Sequence, residues 1–113
     1  MSATINWKYW EPVAAETDEE VKQTVSTTAA ALSVPDGANA VRILFEKNAA
    51  SAGGDTPIVR SYRHGTDPTA SEGKPHFNGE ERDIFSLGEL LNTKFISADG
   101  NDHTLYCQFM RTL

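Results

Sequence analysis

Apolar and polar residues alternate along several short stretches of this chain. The clearest is NAVRILFEK, residues 39–47, in which Val41, Ile43 and Phe45 fall on one side and the residues between them on the other. IVRSYRH, residues 58–64, repeats the pattern. Successive side chains of a β-strand point to opposite faces, so both stretches predict strands with one buried face.

The segment EVKQTVSTTAAALSV, residues 20–34, fits both the spacing of a helix and the alternation of a strand. Val21, Val25, Thr28 and Leu32 match helical spacing, whereas residues 21, 23, 25, 27 and 29 match a strand. The β-branched threonines and valines favour extended backbone. We therefore predict a strand through about residue 28.

Turn residues separate these stretches. VPDGA (34–38) and NGEE (78–81) predict turns, and the glycine-rich residues 48–57 predict a flexible loop. GELLN (88–92) is long enough for one helical turn. ADGND (98–102) between KFIS and TLYCQFM predicts a β-hairpin, with Gly100 supplying a positive φ.

Short strands at this spacing predict an all-β fold. We expect an antiparallel β-sandwich or jelly roll with at most one or two short helical turns. The length of 113 residues suits one domain. We place the single β-sandwich domain at residues 17–113 and treat residues 1–16 as an extended N-terminal arm or first strand.

The N-terminal segment is rich in aromatic residues. Trp7, Tyr9 and Trp10 lie within the first ten positions and include both tryptophans of the chain. Large aromatic side chains on a loose terminus would expose apolar surface to water, so we expect them to be buried. Two possibilities remain open: a strand of the domain itself, or an arm whose aromatic side chains contact another subunit.

The composition limits the classes of partner and of chemical site that we expect. The net charge of −6 argues against a nucleic acid or an anionic membrane as the main partner, since both need a basic face. The longest acidic cluster is ETDEE, residues 16–20, for which a solvated loop or strand edge is expected. Cys107 is the single cysteine, so neither an intrachain disulfide nor a multi-cysteine zinc site forms. The N-terminus lacks signal-peptide features, and a reducing compartment is expected.

The loop RHGTDPTASEG, residues 63–73, contains residue types found in catalytic sites. Its residues also have structural roles: Gly65 and Gly73 permit unusual φ values, Asp67 suits a helix N-cap, and Pro68 suits the first helical position. We therefore predict a structural turn with one helical turn at residues 68–71.

Chemical alternatives for this region are weaker. A Ser71–His64–Asp67 triad would need three groups of one short loop to converge on a rigid frame. A metal site at His64, Asp67 and His76 matches no standard ligand spacing. DGNDH, residues 99–103, lacks the ligand pattern of an EF-hand, and Cys107 is expected to be a buried, inert thiol. We predict no catalytic residues, no metal and no cofactor, and hence no enzyme.

Two stretches carry a resemblance. AALSVPDGANAVRILFE (30–46) and VRSYRHGTDPTASEGKPHFNGEE (59–81) resemble a group of small tailed-bacteriophage proteins. These share an L-V-P-x-G-A turn before a strand, then a strand ending in R-x-x-G-T-x-P-T-A-x-x-G and a G-E turn. The resemblance covers residues 30–97 and implies a small β-sandwich or jelly-roll virion component; it brings no catalytic residues.

The function expected from this resemblance is structural. The leading hypothesis is a capsid decoration (cement) protein, located in the virion after assembly in the host cytoplasm. It would bind the major capsid protein or another virion protein as a homo-oligomer, without nucleic acid or membrane. Alternatives are a tail adaptor or fibre-associated protein, and a carbohydrate-binding module that uses Trp7, Tyr9, Trp10 or Tyr62 for stacking.

Overall fold

The computed structural model describes residues 10–13 and 21–112 of the chain. Within this part the chain forms nine strands and one short helix. They are β1 (Trp10–Pro12), β2 (Lys22–Val25), β3 (Ala30–Ala31), β4 (Ala40–Glu46), β5 (Val59–Tyr62), β6 (Lys74–His76), β7 (Glu81–Ile84), α1 (Leu87–Asn92), β8 (Lys94–Ser97) and β9 (His103–Thr112).

The strands form two antiparallel sheets, as predicted for a β-sandwich. The first sheet has the order β1-β9-β4-β7, and β2 pairs with β9 farther along the edge that also carries β1. The second sheet has the order β3-β8-β5-β6. Strands β7 and β6 are therefore the last strands of their respective sheets, and they follow each other directly in the chain.

The hydrophobic core lies between the sheets. Ile43 and Phe45 of β4 and Leu105 of β9 are fully buried in the first sheet, and Phe95 of β8 is buried in the second. The predicted alternation of β4 is confirmed, because residues 41, 43 and 45 are buried whereas Leu44 and Glu46 are exposed. The same holds for β5, where Val59 and Ser61 are buried.

Helix α1 confirms the helical turn predicted near residues 88–92. Ser86 has extended backbone angles and its hydroxyl accepts a hydrogen bond from the Glu89 N–H, which caps the helix. Leu90 is completely buried, whereas Leu87 and Leu91 are about half exposed. The helix thus attaches to the core by one side chain and presents two leucines to solvent.

The hairpin predicted between residues 94–97 and 104–110 is wrong. Gly100 does have a positive φ of 84°. However, β8 pairs with β3 and β5 in the second sheet, whereas β9 pairs with β1, β2 and β4 in the first. Both strands bury one face, and placing them in opposite layers directs both faces into the same core.

Two other boundaries differ from expectation, and one edge strand was not expected. The strand predicted through residue 28 ends at Val25, because the Ser26 hydroxyl accepts the Thr28 N–H and turns the chain. Strand β7 begins at Glu81, the last residue of the predicted NGEE turn, and ends at Ile84. Strand β6 was not predicted. It contains Pro75, which suits its position at a sheet edge.

The predicted N-terminal strand falls partly on described residues. Trp10, Glu11 and Pro12 pair with Thr112, Arg111 and Met110 of β9, so this portion belongs to the domain's own sheet. Trp7 and Tyr9 lie outside the described residues. None of the helices in the described part is long and apolar enough to cross a membrane.

Candidate functional site

Three polar side chains form a relay at the β6 edge of the second sheet. The Ser61 hydroxyl lies 2.7 Å from Nε2 of His76, and Nδ1 of His76 lies 2.5 Å from Oε2 of Glu80. Ser61 is on β5, His76 ends β6, and Glu80 lies in the turn before β7. Antiparallel pairing of β5 with β6 brings Ser61 and His76 together, although they are 15 positions apart.

The His76 ring is enclosed by aromatic side chains. Its plane lies 6° from that of Phe45 at a centroid distance of 4.4 Å, and the Phe95 ring is 6.2 Å away. Burial lowers the pKa of His76, and the hydrogen bond that the ring donates to the Glu80 carboxylate offsets only part of this effect. The ring is therefore neutral at pH 7: Nδ1–H donates to Glu80 and Nε2 accepts from the Ser61 hydroxyl.

This tautomer and this order of partners match the resting state of a serine–histidine–acid triad. Acyl transfer also requires N–H donors directed at the developing oxyanion. Strand β5 is paired on both sides, with Ser61 opposite Lys74 and Phe95, so its backbone N–H groups are used by the sheet. Ser61 itself is only 3% exposed. The geometry favours a buried polar network that joins two strands and the following turn.

A cleft opens beside this relay. It has a volume of about 310 Å³ and is lined by Ser61, Tyr62, Arg63, His64, Lys74 and Arg82. Lys74 and Arg82 come from the last strands of the two sheets, so the cleft spans the open edge of the sandwich. Among the described residues that line this basic cleft, none is acidic. Because the chain as a whole carries a net charge of −6, this local excess of cations is distinctive.

The rim of the basic cleft is partly ordered by its own contacts. The Tyr62 and His64 rings stack with centroids 4.9 Å apart. Arg82 donates through Nη2 to Oε1 of Glu89 at 2.9 Å, which connects the cleft to α1. Arg63, His64 and Lys74 are exposed. The cleft therefore presents cationic groups to solvent beside a hydroxyl at its buried end.

The loop of residues 63–73 confirms part of the predicted structural turn. Gly65 and Gly73 have φ values of 87° and 130°. A Cβ on Gly73 would lie 3.1 Å from the Ser61 carbonyl oxygen and 3.2 Å from Cβ of Pro68, which is buried. Glycine at position 73 is thus needed both for its φ and for close packing against β5.

The predicted cap at Asp67 and the helical turn after it are wrong. Residues 66–69 adopt no regular structure. The Thr69 hydroxyl instead accepts hydrogen bonds from the N–H groups of Ser71 and Glu72 and closes the turn. Asp67 accepts a hydrogen bond from Nζ of Lys94 at 2.9 Å. Thr69 prevails because its hydroxyl reaches two N–H groups that a helix would leave unpaired.

A second buried histidine ties two other loops together. The Asn48 N–H donates to Nδ1 of His103, so the proton lies on Nε2, which donates to Asp99 at 2.7 Å. Burial of Asp99 by itself raises its pKa, but hydrogen bonds from Ser51, the Asn101 N–H and His103 hold the pKa at about 2. The 48–57 loop, expected to be flexible, is therefore anchored at its start to the β8–β9 connection.

The other chemical candidates are not assembled into sites. Ser71, Asp67 and His64 share no hydrogen bond among the contacts of the described residues, whereas the relay uses a different serine and a different histidine. In residues 10–13 and 21–112, no group of three or more His, Cys, Asp or Glu side chains is placed to hold a metal ion. Cys107 is buried as predicted, and burial raises the pKa of its thiol to about 12.

The sequence patterns did not indicate that Ser61, His76 and Glu80 form a set, or that Arg63, Lys74 and Arg82 share a cleft. The available signal was a serine on the buried face of a predicted strand, since a buried hydroxyl requires a partner.

No protein-family model matches the chain, and neither curated proteins nor solved structures include a significant match to it.

Proposed function

We propose that this chain is a structural protein of a tailed-bacteriophage particle, and most directly a capsid decoration (cement) protein. It binds the head shell as a homo-oligomer and holds neighbouring major capsid subunits together. It acts in the virion after assembly in the host cytoplasm. The proposal involves no cofactor, nucleic acid, membrane or catalytic step.

The observation that carries this proposal is an exposed apolar patch at the β7–β8 connection. Phe85, Leu87 and Leu91 are exposed by 50%, 49% and 54%. Leu87 and Leu91 are four residues apart on α1 and lie on one face of it. Leu90 already fixes the helix to the core. Exposed apolar side chains in such a cluster are typical of a surface that binds another protein.

The physical role follows from mass action. A protein that binds only the assembled shell stabilises that shell, and an oligomer that makes several weak contacts at once binds far more tightly than one subunit. A β-sandwich with a buried polar relay and a fixed core suits this role, because a preformed surface loses little conformational entropy on binding.

Two alternatives remain proposals. A tail adaptor or fibre-associated protein would use the same patch on another part of the particle. A carbohydrate-binding module is favoured by one observation, the Tyr62 ring on the rim of the basic cleft, although His64 stacks on that ring. A glycan array with the native chain and a Tyr62→Ala variant tests this alternative directly.

The main test is a cryo-EM map of the native particle, together with co-sedimentation of purified chain and particles. We expect density for the chain on the head shell. A Leu87→Ser/Leu91→Ser variant should lose particle binding, whereas Leu44→Ser, which changes an exposed leucine elsewhere, should retain it. Density at the tail would support the adaptor alternative, and particles without this chain would refute a virion role.

A further inference from the structure

The cations of the basic cleft come from three different segments. Arg63 directly follows β5, Lys74 begins β6 and Arg82 lies on β7. Strands β5 and β6 pair in the second sheet, whereas β7 belongs to the first, so the cleft collects cationic side chains from both layers of the sandwich. Side chains that start from separate strands reach a common ligand from different directions, which suits a compact anion.

Arg82 is held in place at the cleft by its own ion pair. Its side chain is only 14% exposed, and Nη2 donates to Oε1 of Glu89 at 2.9 Å. A guanidinium carries five N–H donors in one plane, and among the contacts of the described residues Glu89 accepts from one of them. The remaining donors are therefore oriented in advance on a side chain that lines the cleft.

The other two cations keep their charges uncompensated. Arg63 and Lys74 are exposed, and the described residues provide them with no ion pair. The positive potential also reaches the buried end of the cleft: besides burial, the main cause, the charges of Arg82 and Lys74 lower the pKa of His76. Because Glu89 balances Arg82, two positive charges remain for a ligand.

The size and charge of the cleft distinguish among anions. Its volume of about 310 Å³ is at the lower end of small-molecule pockets. A nucleic acid would extend beyond it over a chain with net charge −6, which repels further phosphates. A carboxylate carries one charge, whereas a phosphate monoester carries about two near neutral pH and offers three acceptor oxygens on one atom. A phosphate group therefore matches both the charge and the three donors of the cleft.

We propose that the basic cleft binds a phosphate group, either as inorganic phosphate or as the monoester of a small organic molecule. Arg82, fixed by Glu89, donates to the phosphate oxygens, and Arg63 and Lys74 neutralise the charge. An organic substituent lies against the ring of Tyr62 at the rim. The proposal involves binding alone, with no bond made or broken, and it does not rest on the virion role.

The test is a titration of the full chain with inorganic phosphate, followed by two-dimensional ¹⁵N–¹H NMR. The pH is about 7.5, where phosphate is largely dianionic, and NaCl keeps the ionic strength constant. We expect saturable shifts of the N–H signals of residues 61–64, 74 and 82. Succinate, a dianion whose charges lie on two separate carboxylates, should bind at least about fivefold more weakly. Shifts that do not saturate, or equal binding of succinate, would overturn the proposal.

Two double variants locate the site. Arg63→Gln/Lys74→Gln should weaken the binding of inorganic phosphate at least about tenfold. Lys22→Gln/Lys47→Gln changes the net charge equally but lies outside the cleft lining, and it should leave the affinity within about twofold of the native value. Equal weakening by both pairs would mean that only the net charge matters and would refute the site. Circular dichroism melting of each variant checks that its fold is retained.

A titration with ribose 5-phosphate separates the two sources of the phosphate group. Tighter binding than that of inorganic phosphate assigns the cleft to phosphate monoesters, and Tyr62→Ala should then reduce the affinity for the ester alone. Equal or weaker binding of the ester assigns the cleft to inorganic phosphate. No saturable binding of either compound would refute the proposal. Because these measurements use the purified chain without particles, failure of the cleft and failure of the virion role are distinguishable.

Discussion

The imidazole ring of His76 lies flat against the phenyl ring of Phe45, with centroids 4.4 Å apart. Phe45 belongs to the first sheet and His76 to the second, so this contact joins the two layers of the sandwich. The same histidine contacts Ser61 and Glu80 through its two nitrogens. One side chain therefore connects the hydrophobic core to the edge strands that form the basic cleft.

The first prediction concerns the stability that this histidine provides. His76→Ala should lower the free energy of unfolding by about 3 kcal/mol, because it empties a space beside Phe45 and leaves Ser61 and Glu80 without their partner. Ser61→Ala should cost only about 1 kcal/mol. His64→Ala, at an exposed histidine, serves as control and should stay within about 0.5 kcal/mol. Urea unfolding measures all three; equal values for His76 and His64 would contradict the assigned role.

The second prediction separates a structural relay from a catalytic one. Since β5 offers no pair of unused N–H groups for an oxyanion, we expect p-nitrophenyl acetate hydrolysis by the native chain to equal that by Ser61→Ala. Initial rates at 25 °C over a range of ester concentrations measure this. A saturable rate in the native chain that Ser61→Ala abolishes, at unchanged melting temperature, would instead establish a nucleophilic serine.

The third prediction is a pH dependence at the β8–β9 connection. The folded-state pKa of Asp99 is about 2, below its ordinary value of 3.8, so its contribution to stability is present above about pH 4 and is lost as the pH falls towards 2. The full shift in pKa corresponds to roughly 2 kcal/mol of the free energy of unfolding. The free energy of unfolding, measured with urea between pH 5 and pH 2, should depend less on pH for Asp99→Asn than for the native chain. Asp102→Asn, at an exposed neighbour, should retain the native slope; equal slopes for Asp99→Asn and the native chain would disprove the assignment.

The fourth prediction compares two glycines with positive φ. Gly100→Ala adds a Cβ that meets nothing within 4 Å, so only backbone strain of roughly 1–2 kcal/mol is expected. Gly73→Ala adds strain at φ 130° together with contacts of 3.1 Å to a carbonyl oxygen and 3.2 Å to Pro68. Its loss of stability should therefore exceed that of Gly100→Ala by at least about 1 kcal/mol. Thermal melting of both variants checks the order, and a reversed order would contradict the packing described.

The fifth prediction tests which side chain closes the 63–73 loop. Thr69→Ala should cost about 1 kcal/mol, since the Ser71 N–H loses its acceptor and the Glu72 N–H keeps only the longer bond to the Thr69 carbonyl. Thr69→Ser keeps the hydroxyl and most of the stability. Asp67→Ala removes one exposed ion pair with Lys94, for which 0–1 kcal/mol is typical. A larger loss of stability for Asp67→Ala than for Thr69→Ala would indicate that Asp67, and not Thr69, caps the turn.

Much of the fold was predictable from local patterns, whereas the candidate site was not. Strands β4 and β5 and helix α1 follow from hydrophobic spacing and from turn residues near their ends, which are local properties. Ser61 and His76 meet only because β5 pairs with β6, and the sequence contains no strong strand signal for β6, with Pro75 at its centre. The basic cleft likewise depends on which strands end the two sheets.

The sequence by itself determined the class of the fold, the buried faces of the main strands and the glycines that turn the chain, because alternation and backbone sterics act over a few residues. Only the tertiary structure decided that β8 and β9 lie in different sheets, that Thr69 rather than Asp67 closes the loop, and that Arg63, Lys74 and Arg82 share a cleft. These outcomes depend on competition between distant segments for the same core and the same hydrogen bonds. A local sequence pattern does not determine which of these segments pair.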